Sequence, residues 1–331
     1  MRRLLGTLAL AVTLSACETL ADIEEGVLGP LPEDQAAAPV QTPSRAAPRP
    51  SSRVTMTPTE AIASAAPADW RAVAPENLLL MDLAEANGMP GRRVAIELAP
   101  TFAPVHVANI RAFARADWWA RSGIYRVQDN YVAQWGNGET NKGLPAGVMA
   151  VPPAEYERAL GGARPRPLGY IDSYAAAAGH LAGWPVAWNP GTARANLVHC
   201  YGMVGVGRGE APDTGSGGEL YAVIGHAPRH LDRNIALVGR VLDGIDALSA
   251  RPRGTEALGF YKARSSDVPI TRVTVAADLP AAQRPVYEVL DTGSAAFARY
   301  VAARANRKDS FFVTPAGGVD ICNAPVPTRK R

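Results

Sequence analysis

Two neighbouring apolar runs, NLLLMDLA from Asn77 to Ala84 and RRVAIELA from Arg92 to Ala99, flank Asn87-Gly88-Met89-Pro90-Gly91. Short apolar runs on either side of an Asn-Gly turn predict a β-hairpin. In the second run Val94, Ile96 and Leu98 alternate with Arg93, Ala95 and Glu97, the period of two of a strand with one buried face. The period then changes. From Ala103 onward Val107, Ile110, Phe113 and Ala114 recur at helical spacing and predict a helix of about three turns. IYRVQDNYVAQWG (Ile124 to Gly136) reads as strand, Asp129-Asn130 turn, strand. GELYAVIG, NIALVGRVLDG and ITRVTVA are further strands, the last presenting Ile270, Val273 and Val275, and GIDALSA opens a short helix. Between Gln134 and Val206 the pattern is less regular, with Trp184, Pro185 and Trp188 and an alanine-rich helix signal at Ser173 to Gly183. After Pro285, the stretch Val286 to Asn306 reads as a helix. Sheet predominates.

The first 68 residues follow another pattern. Arg2 and Arg3 precede an apolar run from Leu4 to Leu14, shorter than the roughly 20 residues that span a bilayer, so it reads as an export signal. Leu14-Ser15-Ala16-Cys17 resembles the bacterial lipobox, in which the cysteine becomes the lipidated first residue of the mature protein. The resemblance implies lipidation at Cys17 and a membrane anchor facing the periplasm in the cell envelope; Glu18 in place of Asp favours the outer membrane. From Gly29 to about Pro67 the chain is rich in Ala, Pro, Ser and Thr. Such a segment buries too little apolar surface to offset its ordering entropy, and its prolines keep it extended. The division expected is a signal at 1–16, a disordered tether at 17–68, a main domain at 69–280 with an insertion at about 137–198, and a C-terminal extension at 281–331.

Charge and cysteines narrow the chemistry. With 34 basic and 31 acidic residues the net charge is +3, which excludes a nucleic-acid footprint. Beyond Cys17 the remaining cysteines, Cys200 and Cys322, are an even pair in an oxidising compartment, either bonded or two buried thiols. No cysteine pair has metal-ligand spacing, and the five histidines are scattered, so no metal site is expected. His199 stands next to Cys200, but neighbouring strand residues point to opposite faces, which argues against a catalytic pair.

Two blocks, Arg92 to Gly138 and Gly202 to Asp246, run strand, Pro-containing turn, helix, strand with Arg, aromatic-x-x-Gln, and then strand, aromatic strand and Leu-Asp. This order resembles the cyclophilins, over roughly Asn77 to Ala277. The resemblance implies a mainly β fold, a closed eight-stranded antiparallel barrel capped by two helices, here with a C-terminal helical extension. It also implies peptidyl-prolyl cis-trans isomerase activity without a cofactor, on proline-containing exported polypeptides, by a protein expected to be a monomer.

Carried over position by position, the family's catalytic arginine falls on Arg126, its pocket phenylalanine on Tyr131 and its backbone-binding glutamine on Gln134. The substrate-binding positions fall on Val132, Gly207, Arg208, Glu219, Tyr221, His230 and Leu231. Several depart from the family pattern: Gly207-Arg208 replaces Ala-Asn, Glu219 replaces a glutamine, and Ile235 replaces the groove histidine. Glu219 is a candidate partner for Arg126, and Trp135 is expected in the core. The departures leave a second reading open, a catalytically weak cyclophilin-fold module that holds proline-containing partners as a chaperone or scaffold.

Overall fold

The structure, a computed structural model, describes residues 55–136 and 143–331. Cys17 and the expected export signal lie outside the described residues. In chain order the first elements are helix α1 (Pro58–Ala63), strands β1 (Trp70–Ala72), β2 (Leu78–Leu83) and β3 (Arg92–Leu98), and helix α2 (Pro104–Arg115). Strands β4 (Gly123–Val127) and β5 (Val132–Gly136) follow. The insertion carries β6 (Arg158–Ala159), β7 (Arg166–Pro167), β8 (Ala177–Leu181), β9 (Trp184–Asn189) and β10 (Arg194–Leu197). Next come β11 (Met203–Val206), β12 (Leu220–Val223), β13 (Leu237–Asp243), helix α3 (Asp246–Ser249) and β14 (Val268–Val275). The chain ends with β15 (Tyr287–Leu290), helix α4 (Ala295–Asn306) and β16 (Thr328–Lys330).

Eight strands close into an antiparallel barrel in the order β11-β12-β5-β4-β14-β2-β3-β13, the architecture expected from the sequence. The hairpin β2–β3 turns at Asn87 and Gly88, both at positive φ, as a two-residue turn compatible with strand twist requires. The interior is filled by Leu79, Met81, Val94, Ile96, Leu98, Ile124, Trp135, Val204, Val206 and Val238, and α2 closes one side with Val107, Ile110 and Phe113. An eight-stranded barrel is just wide enough to be filled by side chains, and these fill this one, so the binding surface is sought on its outside. Trp135 is buried in this core, as expected.

Three expectations change. The last part of the expected tether is folded: α1 is opened by a capping box between Thr57 and Glu60, and its Ala61 joins Phe297 and Tyr300 of α4 in a small core. The capping pair offsets some of the ordering entropy, and tertiary contact supplies the rest. The alanine-rich stretch expected as a helix is strand β8, paired with β9 across Ala182 and Gly183, both at positive φ. The region expected as one helix from Val286 is divided into strand β15 and helix α4, with Ser294 capping the helix through Phe297 N.

These additions explain why β3 is buried on both faces from Val94 onward rather than on one. A three-stranded sheet, β1-β15-β16, lays Tyr287 and Val289 against Leu78, Leu80 and Ala95 on the barrel's outer side. The insertion forms a five-stranded sheet, β6-β10-β9-β8-β7. Cys200 and Cys322 are joined by a disulfide across 122 residues of sequence, tying the C-terminal segment to the core that Trp184, Val186 and Ile321 share.

Candidate functional site

Strands β4 and β5 place one wall of the site, because their pairing sets Arg126 opposite Gln134. Arg126 is half-buried, and every hydrogen bond it makes among the described residues goes to a neutral acceptor. Its Nη1 donates to Gln134 Oε1 at 2.9 Å, its Nε to the Leu258 carbonyl at 2.7 Å and its Nη2 to Gln128 Oε1. Burial lowers its pKa from the ordinary arginine value, yet a guanidinium stays charged at neutral pH. The result is a fixed cation with no carboxylate partner among the described residues.

Gln134 hands the polarity on. Its Nε2 donates to the Tyr125 hydroxyl, which donates to Glu219 Oε2 at 2.6 Å. Burial and the neighbouring carboxylate hold the Tyr125 phenol well above its ordinary pKa, so it stays a donor. Glu219 therefore pairs with Tyr125 rather than with Arg126. The relay runs in one direction, from Arg126 through Gln134 and Tyr125 to Glu219, and it orients the Gln134 amide.

Beside the guanidinium lies an apolar patch. Val132, Tyr221 and Val223 form a buried cluster with Tyr131 and Ile235 against it. The Arg126 guanidinium carbon is 5.9 Å from the centre of the Tyr131 ring, and exposed His230 stacks on the same ring at 6.2 Å. Tyr221 is reached from β12, and its ring lies over Gly205 so closely that a Cβ there would fall 2.3 Å from it. Gly207 forms the edge of the second wall: its N–H donates to the Glu219 carbonyl at 2.8 Å, and a Cβ there would fall 3.1 Å from Gln134 Nε2. Arg208 is turned elsewhere, with Nε and Nη2 on the Asn234 carbonyl and the guanidinium over Tyr156. Leu231 is half-buried in the turn that carries His230.

The Tyr221 hydroxyl is buried, which drives its pKa upward and demands a partner. His199 Nε2 accepts from it at 2.9 Å, and His199 Nδ1 donates to Asp232 at 2.8 Å. Asp232 also receives Arg229 Nε at 2.6 Å, while the other Arg229 nitrogens grip Asp172 of the insertion, each at 2.9 Å. Sequence reasoning missed Tyr125, Gln128, Asp232 and the His199 contact. One signal could have found the last: the Tyr221 hydroxyl, if buried, needs a hydrogen-bond partner.

The sequence model of the family described as cyclophilin type peptidyl-prolyl cis-trans isomerase/CLD matches residues 80–275. The chain belongs to this family. Its peptidyl-prolyl isomerase domain thus coincides with the barrel just described. Among solved structures, this cyclophilin is similar to cyclophilin AquaCyp293 from Hirschia baltica, with a TM-score of 0.61 and 22% identity over 79% of this chain and 93% of that one. It is also matched by a cyclophilin type isomerase from Cryptosporidium parvum, solved in the presence of the dipeptide Ala-Pro, with a TM-score of 0.37 and 10% identity over 60% of this chain and 98% of that one. No curated protein matches the cyclophilin chain in sequence.

Proposed function

We propose that this cyclophilin isomerises X-Pro bonds in exported cell-envelope polypeptides, with Arg126 as the group that favours the twisted amide. The observation that carries the reading is the state of Arg126, a half-buried guanidinium held by three neutral acceptors and by no carboxylate among the described residues. Twisting a peptide bond costs most of its resonance, a barrier of about 18–20 kcal/mol. The twisted nitrogen becomes a better hydrogen-bond acceptor, so a donor aimed at it binds the transition state more tightly than either planar form. A guanidinium has five N–H groups, and the described residues engage three of them to fix Arg126, so two others can serve this task. Tyr131, Val132, Tyr221 and Ile235 would hold the proline ring, and the oriented Gln134 amide lies where it can meet the flanking backbone.

The location is inferred separately. A disulfide between Cys200 and Cys322 suits an oxidising compartment, which supports export, and the lipobox-like Leu14 to Cys17 supports an anchor at the membrane, with the outer membrane favoured. The clients would then be exported chains that pass the tethered domain. A binding role without turnover has one observation in its favour, the departures at Gly207, Arg208, Glu219 and Ile235, but none of these removes the arginine or the apolar patch.

The test is the rate of cis-to-trans isomerisation of Ala-X-Pro-Phe peptides by the full-length protein and its Arg126→Ala variant. Losing the donor should cut kcat/KM by about two to three orders of magnitude. Equal rates in the two proteins would overturn the role of Arg126, and no acceleration by the wild type would favour the binding module.

A further inference from the structure

The chain between Pro252 and Asp267 lies along β4 next to Arg126. Gly254 N donates to the Val127 carbonyl at 2.9 Å and Tyr261 N to the Tyr125 carbonyl at 2.9 Å, while Arg126 and Phe260 form an antiparallel bridge. The loop cannot lift away from the strand without losing these bonds and the Leu258 carbonyl that fixes Arg126 Nε. Gly259 is pressed flat on the turn below, where a Cβ would come within 2.5 Å of Gln128 Cα, and its φ is +80°. Leu258 itself has φ of +58°. A branched side chain adopts that left-handed conformation only where the surroundings impose it, and such strain gathers at functional sites.

What this rigid frame presents is apolar. Leu258 is 63% exposed and Phe260 37% exposed. The Phe260 ring stacks on Tyr125 at 5.8 Å and lies 5.4 Å from the Arg126 guanidinium carbon. Tyr125, Phe260 and Tyr261 line an open cavity of about 400 Å³, with Lys262 and Arg264 also on its wall. An extended peptide advances about 3.3 Å per residue. A chain whose proline sits by Arg126 therefore brings a side chain one or two residues away over this ring.

We propose that Phe260, Leu258 and Tyr125 form a second substrate subsite beside the catalytic arginine, which takes an aromatic or long aliphatic side chain within two residues of the proline. The inference rests on the isomerase reading and names the substrate class of that same site. The subsite is pre-organised, because the strained loop is held by backbone bonds before substrate arrives, so little ordering is needed on binding.

The experiment measures kcat/KM for isomerisation by the full-length protein on proline peptides that are otherwise alanine. Phe, Leu or Gly is placed in turn at each of the two positions before and after the proline. At one of these positions Phe and Leu should exceed Gly by about tenfold, the effect of one well-packed ring contact. In Phe260→Ala and Leu258→Gly that ratio should fall to about one. Leu258→Gly keeps the carbonyl that holds Arg126 and relieves the positive φ, so it reads the subsite even where the Phe260 variant folds poorly. Acceleration of every peptide by the wild type without preference would overturn the subsite and leave the isomerase reading standing. A preference that survived in both variants would overturn its assignment to these residues. Absence of acceleration on any peptide would instead sink the isomerase reading.

Discussion

Two arginines show how differently the groove and the seams of this protein treat a buried cation. Arg126, in the groove, is held by the neutral oxygens of Leu258, Gln128 and Gln134. Arg240, where barrel and insertion meet, is held by Glu97 through Nε at 3.0 Å and Nη2 at 2.6 Å, and donates through Nη1 to the Gly183 carbonyl. Glu97 in turn takes Arg71 of β1 at 2.8 Å, and Arg229 is likewise enclosed by Asp172 and Asp232. At these two seams the bridging charge is neutralised by carboxylates, which offsets the high cost of an unpaired buried ion. Arg126, the charge proposed to act on a substrate, has no counter-ion among the described residues and is half-buried and oriented by dipoles.

The largest expected effect breaks the seam. Glu97→Ala leaves Arg240 buried without its carboxylate and should cost about 3–5 kcal/mol of unfolding free energy, measured by urea denaturation. Arg126→Ala removes a cation that has no carboxylate to strand, so its unfolding free energy should stay within about 1 kcal/mol of the wild type while its turnover is lost. If the two variants destabilised equally, the contrast between groove and seam would be wrong.

Acid offers a second way to separate them. His180 of β8 is buried, its Nε2 on the Ala324 carbonyl at 3.2 Å, and burial lowers its pKa to about 4 from 6.5. Between these values the unfolded chain binds a proton that the folded chain does not. Stability is therefore fully present above pH 6.5 and falls as pH drops toward 4, by roughly 3 kcal/mol in all. Asp172 does not contribute in that window: burial raises its pKa, but hydrogen bonds from Arg229 outweigh this and hold it below the usual 3.8, so its share is lost only at lower pH. A His180→Asn variant should show a flatter pH dependence of unfolding than the wild type. An unchanged slope would assign the acid sensitivity elsewhere.

The smallest effect tests the link between the two regions. Tyr221→Phe keeps the ring over Gly205 but leaves His199 Nε2 without its donor, and should cost about 1 kcal/mol by thermal unfolding. No change would mean that water replaces the phenol freely, and the pocket would then be less tied to the insertion than the chain through Asp232 and Arg229 suggests.

The barrel's strands and helix were legible because their signals are local, and the resemblance to the cyclophilins implied their closure. Asn87-Gly88 between two apolar runs, the helical spacing of Val107, Ile110 and Phe113, and the order of strands around Arg126 and Gln134 each follow from a few neighbouring residues. The Ser173 to Gly183 stretch was misread as helix because alanine favours helix where nothing else intervenes, whereas here pairing with β9 intervenes. Val286 to Leu290 was joined to the alanine-rich helix signal that begins at Ala295, although β1 and β16 claim it as a central strand. Strand or helix in such segments is a property of what lies beside them.

The sequence by itself determined the order of strands and helix around Arg126 and Gln134 and the presence of two cysteines able to pair, since periodicity and turn chemistry are written in short stretches, while the closed barrel was implied by the family resemblance. Tertiary structure alone decided that Glu219 serves Tyr125 instead of Arg126, that His199 and Asp232 hold Tyr221, that Leu258 comes from 132 residues away to the arginine and brings Phe260 with it, and that the C-terminal strands cover β3. Each of these joins residues distant in sequence, and the energy of a hydrogen bond or an ion pair depends on burial and on which partner arrives, neither of which a linear pattern encodes.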